Sequence, residues 1–375
     1  MSRRATGFTL IEVLVALAIV GIGLVAGLQA LPGVRELHTL PGGVEFTGDL
    51  ATLYRANLWL RSASRVLLRL SQLRAVHFAS LRRQVAELPW EQFAAGPVRV
   101  SVAATAHHCR LHHSGGIAER IALGIADRGI AVLPETSDDA PALHLVARGQ
   151  DDIFTLSLDT SGELLHRRGY RTQDTGAPLR ETLAAGVLQL AGWDGETPLF
   201  DPTCGSGTLV IEAALHAARR AVGRDRTFGF HGWPTFAPAL WTKIKAEADA
   251  GARPLQPGLL YASDIDPHAI TVARHNAARA GVESAIHWTV ADARRAALPA
   301  GPPGLVLCNP PYGVRLSSPQ RLYKELGRLA RSAAGWRLGL LTSVPQLARA
   351  AGLSEPGHCL SSGGLRVAFY LSHKA

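Results

Sequence analysis

The sequence predicts an α/β chain: a doubly wound parallel sheet in its C-terminal part, preceded by a smaller α+β unit. Three observations carry this. After residue 166, short apolar strands alternate with amphipathic helices, the pattern of repeated strand-helix-strand crossovers. The first of those strands runs into the glycine turn Gly205-Ser206-Gly207, a place where backbone can approach a ligand closely. Before residue 166 the strand patterns are separated by turn residues and joined by only a few helices.

A length of 375 residues favours two domains. With 47% hydrophobic and 18% charged residues, the composition excludes a disordered polymer and a polytopic membrane protein. The net charge of +9 is carried almost wholly by arginine and suits a polyanionic partner, although a codon bias towards Arg gives the same balance. Cys109, Cys204, Cys308 and Cys359 have neither zinc nor disulfide spacing, so a reducing, cytoplasmic compartment is expected and no metal is assigned.

Arg3 and Arg4 precede Gly7-Phe8-Thr9-Leu10-Ile11-Glu12 and an apolar run over 13–28, nearly long enough for a bilayer crossing. Residues 3–28 resemble a type IV prepilin leader, which implies cleavage after Gly7 and an assembly role for Glu12. Three readings stay open for the segment 1–30: an inner-membrane tether through residues 8–28, a start or reading frame that does not belong to the folded protein, or an apolar first helix.

The alternation at Val44-Glu45-Phe46 predicts a strand, and Asp49 a cap for a helix over 50–70. On that helix Arg55, Arg61 and Arg65 alternate with leucines and read as a cationic face beside an apolar one, with an ordinary solvated face the plainer alternative. Residues 98–102 read as a strand. His107, His108, His112 and His113 fall in two adjacent pairs in a loop without a carboxylate or cysteine partner, so they are read as polar loop residues, with His113 available for phosphate beside a helix start at Gly115-Gly116. Residues 143–147 and 153–158 predict a hairpin turning near Asp151-Asp152. The bridge 166–171, with Arg168 and Arg171, is strongly cationic.

The chemistry-bearing residues lie beyond this bridge. A strand over 198–201 ends at Asp201 and is followed by Thr203, Gly205 and Gly207 and a helix over 209–218. Val210 stands where a dinucleotide fingerprint would place its third glycine, so this loop does not predict a pyrophosphate. A second strand delivers Asp264 to its carboxyl end, where a carboxylate can take both hydroxyls of a ribose. The next helix, over 268–280, contains Asn276, to which no role is assigned. A third strand, 286–290, leads to Asp292, which can accept from an adenine amino group.

A fourth strand, 304–308, ends in Asn309-Pro310-Pro311-Tyr312-Gly313. The prolines fix the backbone so that the Asn309 side-chain oxygen and the Pro310 carbonyl can accept both hydrogens of one exocyclic amine. The amine lone pair then faces a methyl donor, and Tyr312 can stack on the unpaired or flipped base. This predicts amino methylation without a strong general base.

With those residues read, 34–375 resembles the bacterial THUMP-domain guanine-N2 RNA methyltransferases, and among them the branch acting on 23S ribosomal RNA. The matching stretches are residues 42–46, 54–65, 166–171, 181–184, 201–207, 228–233, 263–266 and 309–316. The resemblance implies an α+β THUMP/ferredoxin-like RNA-binding domain over 34–165 and a Rossmann-like class I methyltransferase domain over 166–375. It implies S-adenosylmethionine as cofactor, with Asp201 and Gly205 at its amino-acid end, Asp264 at ribose and Asp292 near adenine. Thr203, Gly207 and Asn309 complete the expected cofactor set, and Asn309, Pro310 and Tyr312 the catalytic one. Structured RNA is the expected partner, met by Arg55, Arg61, Arg65, His113, Arg168, Arg171 and Arg315. The first helix of the THUMP region is absent from this match, with the leader-like run in its place. Alternatives are a transfer-RNA guanine-N2 methyltransferase, a DNA adenine-N6 methyltransferase, and, outside enzymes, a pilus or secretion component.

Overall fold

The computed structural model describes residues 11–14, 25, 27–40, 42–134, 141–173, 179–311, 319–354, 357–362 and 365–373. They form two sheets. The first comprises β1 (Ile11–Leu14), β2 (Arg35–Leu40), β3 (Gly43–Thr47), β4 (Arg65–Arg74), β5 (Val98–His107), β6 (Val132–Leu133), β7 (Ala142–Gln150) and β8 (Ile153–Asp159). Its spatial order is β2-β3-β1-β4-β8-β7-β5-β6. β7 and β8 are a hairpin closed by Asp151 and Asp152, both at positive φ, the twisted two-residue turn that matches the strands.

Two elements differ from the sequence reading. The helix expected over 50–70 stops early: α1 spans Leu50–Trp59, capped by Asp49, whose Oδ1 accepts from the Thr52 N–H at 2.8 Å. The chain then turns extended at Leu60 and β4 begins at Arg65. Val66, Leu67 and Leu68 are all buried there, and a short continuous apolar run suits a buried strand as well as a helix. The same ambiguity applies further upstream. Ile11–Leu14, read as part of a leader-like run, pairs antiparallel with both β3 and β4 inside the first sheet. Among the described residues no helix is long and apolar enough to cross a membrane.

α2 (Phe78–Ala86) and α3 (Ser114–Asp127) pack on each other through Leu81, Val85, Ile117, Ile121 and Ile125, all buried in the core that also holds β4, β5, β7 and β8.

The second sheet contains β9 (Leu199–Asp201), β10 (Leu260–Asp264), β11 (Ile286–Val290), β12 (Leu305–Cys308), β13 (Arg337–Thr342), β14 (His358–Ser362) and β15 (Leu365–Leu371), in the order β11-β10-β9-β12-β13-β15-β14. β9 to β13 are parallel, and β15 returns antiparallel beside β13. The helices are α4 (Glu181–Leu190), α5 (Thr208–Ala217), α6 (Pro238–Ala250), α7 (Pro267–Arg279), α8 (Pro319–Arg331) and α9 (Pro345–Ala350). The order reverses between β9 and β12, and open α/β sheets bind ligands at the carboxyl ends of the strands beside such a switch point.

Two kinds of contact join the units. Tyr54 of α1 stacks on Phe230 with centroids 4.6 Å apart, while its hydroxyl accepts from the Ala237 N–H at 3.0 Å. Beside it Phe228, Phe236 and Trp241 complete an aromatic cluster. The second contact is ionic. Glu212, fully buried on α5, faces Arg168 at 3.5 Å and Arg61 at 3.9 Å and accepts from the Tyr170 hydroxyl at 3.2 Å. Arg61 also donates to the Leu215 and Arg220 carbonyls, capping the C-terminal end of α5. Burial pushes the Glu212 carboxyl up and lowers the Arg61 guanidinium to about 10, each opposed by attraction to the other. Removing one partner strands a charge in the interior. Glu212→Ala is therefore expected to lower unfolding free energy by about 3–5 kcal/mol, measured by urea denaturation. A loss below about 1 kcal/mol would mean that the junction does not depend on this carboxylate.

Candidate active site at the switch point

β9 and β12 pair through Leu199↔Leu305 and Phe200↔Val306. Asp201 ends β9, and Asn309 follows the last residue of β12, so both emerge at the same edge on neighbouring strands, spaced about 5 Å apart in any sheet. β10 lies on the other side of β9 and ends at Asp264. Val290 pairs with Asp264 in the adjacent β11, which brings Asp292 alongside. Asp201, Thr203, Gly205, Gly207, Asp264, Asp292, Asn309 and Pro310 therefore share one continuous rim. Tyr312 and Arg315 lie outside the described residues.

The glycine loop is pinned to that rim. The Gly205 N–H donates to Asp264 Oδ2 at 2.9 Å, and the Cys204 N–H donates to the Ser263 carbonyl at 2.9 Å. The Gly207 N–H donates back to the Cys204 carbonyl at 2.8 Å. Gly207 has φ +82°, and a Cβ there would meet Ala273 Cβ at 3.0 Å, so conformation and space both select glycine. Gly207 is the N-cap of α5.

The rim has the polarity of a cation-accepting, ribose-accepting cleft. Asp201 is buried and accepts from the Thr203 N–H at 3.1 Å; burial, with Asp264 beside it, pushes its carboxyl up to about 8. Thr203 Oγ1 and Ser263 Oγ are buried without hydrogen-bond partners. Ile265 and Val290, 60% and 52% exposed, are two of the three exposed large hydrophobic residues among those described. They follow Asp264 and precede Asp292, where a planar base would need apolar walls. These features fit S-adenosylmethionine: an ammonium for Asp201, ribose for Asp264, adenine between the two aliphatic side chains. Asp292 is not bare, because Arg294 donates to both its oxygens at 2.7–3.0 Å and the Arg294 N–H to Oδ1 at 2.9 Å. An adenine amino group must use its remaining lone pairs or displace the guanidinium.

Pro310 is buried, and its carbonyl accepts from the Tyr323 hydroxyl at 3.4 Å. Tyr323, Ile265 and Val290 were missed in the sequence. Tyr323 reads there as an ordinary core aromatic on α8, and the other two as strand-end aliphatics. A carbonyl has two lone pairs, so Pro310 can still take a substrate N–H.

The cations expected to meet RNA are elsewhere, and most are engaged internally. Arg168 is buried against Glu212, and Arg61 is partly buried beside it. Arg171 pairs with Glu181 at 2.5 Å, and Arg55 with Glu247 at 3.2 Å. Arg65 holds Asp159 and the Gly162 carbonyl. His113 caps α3 with its own ring, Nδ1 accepting from the Gly116 N–H at 2.9 Å. Arg61 and Arg65 of the stretch 50–70 are thus clamps to Glu212 and Asp159, while Arg55 meets Glu247 in a surface pair. Among the described residues, no group of three or more His, Cys, Asp or Glu is placed to hold a metal.

The Asp201 environment sets a pH dependence. Its folded pKa of about 8 lies above the ordinary 3.8, so its contribution to stability is full below that ordinary value and is lost as pH rises through about 8. Accepting an ammonium requires the ionised form, so binding expels a proton. Affinity for S-adenosylhomocysteine, measured by calorimetry, should rise from pH 6 to 8 and level off above. Asp201→Asn should remove the slope, and a flat wild-type profile would contradict the assignment.

Comparison with known proteins agrees with this fold and with the cofactor. A family model described as the RMKL-like methyltransferase domain matches residues 168–358, just over half of the chain. The RlmL ferredoxin-like domain matches residues 24–67, and the prokaryotic N-terminal methylation motif matches residues 2–28. SMU.472, assigned as a methyltransferase and crystallised with SAH, superposes with TM-score 0.88 at 28% identity, covering 99% of both chains. A protein from Listeria monocytogenes str. 4b F2365, described as a predicted N6-adenine-specific DNA methylase, gives TM-score 0.86 at 28% identity over 96% of each chain. TrmN from Thermus thermophilus shares the fold, with TM-score 0.73 at 20% identity over 98% of this chain and 100% of its own. The chain belongs to the RMKL-like methyltransferase family, as an S-adenosylmethionine-dependent enzyme with a Rossmann-like catalytic sheet and a ferredoxin-like N-terminal part.

Proposed function

We propose that the chain methylates the exocyclic N2 of a guanine in RNA, with 23S ribosomal RNA the first candidate. The observation that carries the reading is the pair of acceptors at Asn309 and Pro310, set across the switch point from the Asp201–Asp264 rim. Asn309 Oδ1 and the Pro310 carbonyl hold the two amine hydrogens, and Tyr323 steadies the Pro310 carbonyl from behind. Asp201, Thr203 and Gly205 hold the amino-acid end of the cofactor, Gly207 shapes the loop, Asp264 takes ribose and Asp292 adenine. When bound, the cofactor supplies an electrophilic methyl on a sulfonium. Rate would then come from alignment of donor and amine, and the proton that the amine gives up would pass to water.

RNA, rather than DNA, is favoured by the N-terminal part. The match of residues 24–67 to the RlmL ferredoxin-like domain supports an RNA-binding role for this part; the proposed THUMP-containing region runs over 34–165 and the catalytic domain over 166–375. The strand Ile11–Leu14 in that sheet supports counting part of the leader-like run with the RNA-binding unit. A cytoplasmic enzyme follows from the substrate. A transfer-RNA guanine is the nearest alternative. The runner-up from another class is adenine-N6 methylation of DNA, kept by the description of the Listeria monocytogenes protein and by the shared chemistry of an exocyclic amine.

Purified protein with methyl-labelled cofactor should place label in N2-methylguanosine of 23S ribosomal RNA and none in duplex DNA. Label in N6-methyladenine of DNA would establish the runner-up. Asn309→Ala should reduce transfer at least about a hundredfold through lost alignment, with affinity for S-adenosylhomocysteine unchanged within about twofold. Retained turnover would remove Asn309 from the mechanism.

A further inference from the structure

Asn276 is a buried polar residue on α7 that the cofactor assignment does not use. Its Nδ2 donates to the Ser206 carbonyl at 3.2 Å and to the Gln173 carbonyl at 3.1 Å, and its Oδ1 accepts from the Thr172 N–H at 3.4 Å. One planar amide thus satisfies three backbone groups from two segments far apart in sequence. Aspartate would lose both donors, and alanine all three bonds.

The two segments are not equivalent. Ser206 sits between Gly205, which is bonded to Asp264, and Gly207, where α5 begins. Fixing the Ser206 carbonyl fixes the plane of the peptide that leads into Gly207. Thr172 and Gln173 continue the strap whose preceding residues are locked at the junction: Arg168 and Tyr170 on Glu212, Arg171 on Glu181. Side chains and backbone therefore run in unbroken contact from Arg61 of the N-terminal unit, through Glu212 and residues 168–173, to Asn276 and the cofactor loop.

We propose that Asn276 is a positioning residue for the glycine loop, and that it makes cofactor affinity depend on residues 172–173 and hence on the domain junction. A filler of buried hydrogen bonds would alter stability alone. A positioning residue also alters binding at the loop, and passes on to it a disturbance made at the junction. The idea rests on the cofactor assignment and is independent of the nucleic acid methylated.

The test uses the full chain and S-adenosylhomocysteine as ligand. Asn276→Ala is expected to weaken binding about tenfold, the scale of one lost buried hydrogen bond. Asn276→Asp, which keeps size and the acceptor oxygen, should do the same if the donor bonds matter, and it serves where alanine does not fold. Arg168→Met, remote from the loop, should weaken binding about threefold in the wild-type background and have no further effect in either Asn276 variant. Hydrogen exchange at the Thr172 amide should slow on adding ligand in the wild type and not in Asn276→Ala. Unchanged affinity in a folded Asn276→Asp, or additive effects of Arg168→Met and the Asn276 change, would overturn the proposal.

Discussion

Glu212 is a carboxylate fully buried in the helix that starts at the cofactor loop, and it is shared by Arg61, Arg168 and Tyr170. A charge in that setting is costly unless its partners are held in place. Those partners come from two stretches of the chain, the turn after α1 and the bridge between the units, and they meet the carboxylate on α5. Satisfying the one carboxylate therefore fixes the approach of the N-terminal unit, the path of residues 168–171 and the C-terminal end of α5. The Tyr54–Phe230 stack supplies apolar area to the same junction without specifying its register so strictly.

Much of the second sheet was legible in the sequence, because each of its parallel strands is short and apolar and ends at or near a polar residue. Asp201, Asp264, Asp292 and Asn309 are all at strand ends, and a period change from strand to helix marks that position. The hairpin at Asp151-Asp152 and the Asp49 cap were legible for the same local reason. The arginines were not. Arg55, Arg61 and Arg65 make the same sequence stripe whether they face water or carboxylates, and the deciding partners, Glu247, Glu212 and Asp159, are distant in the chain. Glu212 itself lies in the helix TLVIEAALHA, where a lone acid gives no hint that it is the hub. Asn276 was visible but without meaning until the fold placed Ser206 and Thr172 against it.

The match of residues 54–65 and of 228–233 to one family also acquires a physical reason. The first stretch contributes Tyr54 and Arg61, the second Phe228 and Phe230; Tyr54 stacks on Phe230 and Arg61 reaches α5, both at the junction. Methyl transfer belongs to the C-terminal unit, which carries the family's methyltransferase domain; in the proposed reading Asn309 and Pro310 select an exocyclic amine at the switch point, and the N-terminal unit selects the nucleic acid.

Nucleoside mass spectrometry of ribosomal RNA, transfer RNA and DNA from a strain lacking the gene, with and without the gene restored, tests the central claim most directly. The account predicts loss of one N2-methylguanosine from 23S ribosomal RNA and its return on restoration, with DNA unchanged. An unaltered RNA profile together with loss of N6-methyladenine from DNA would contradict it.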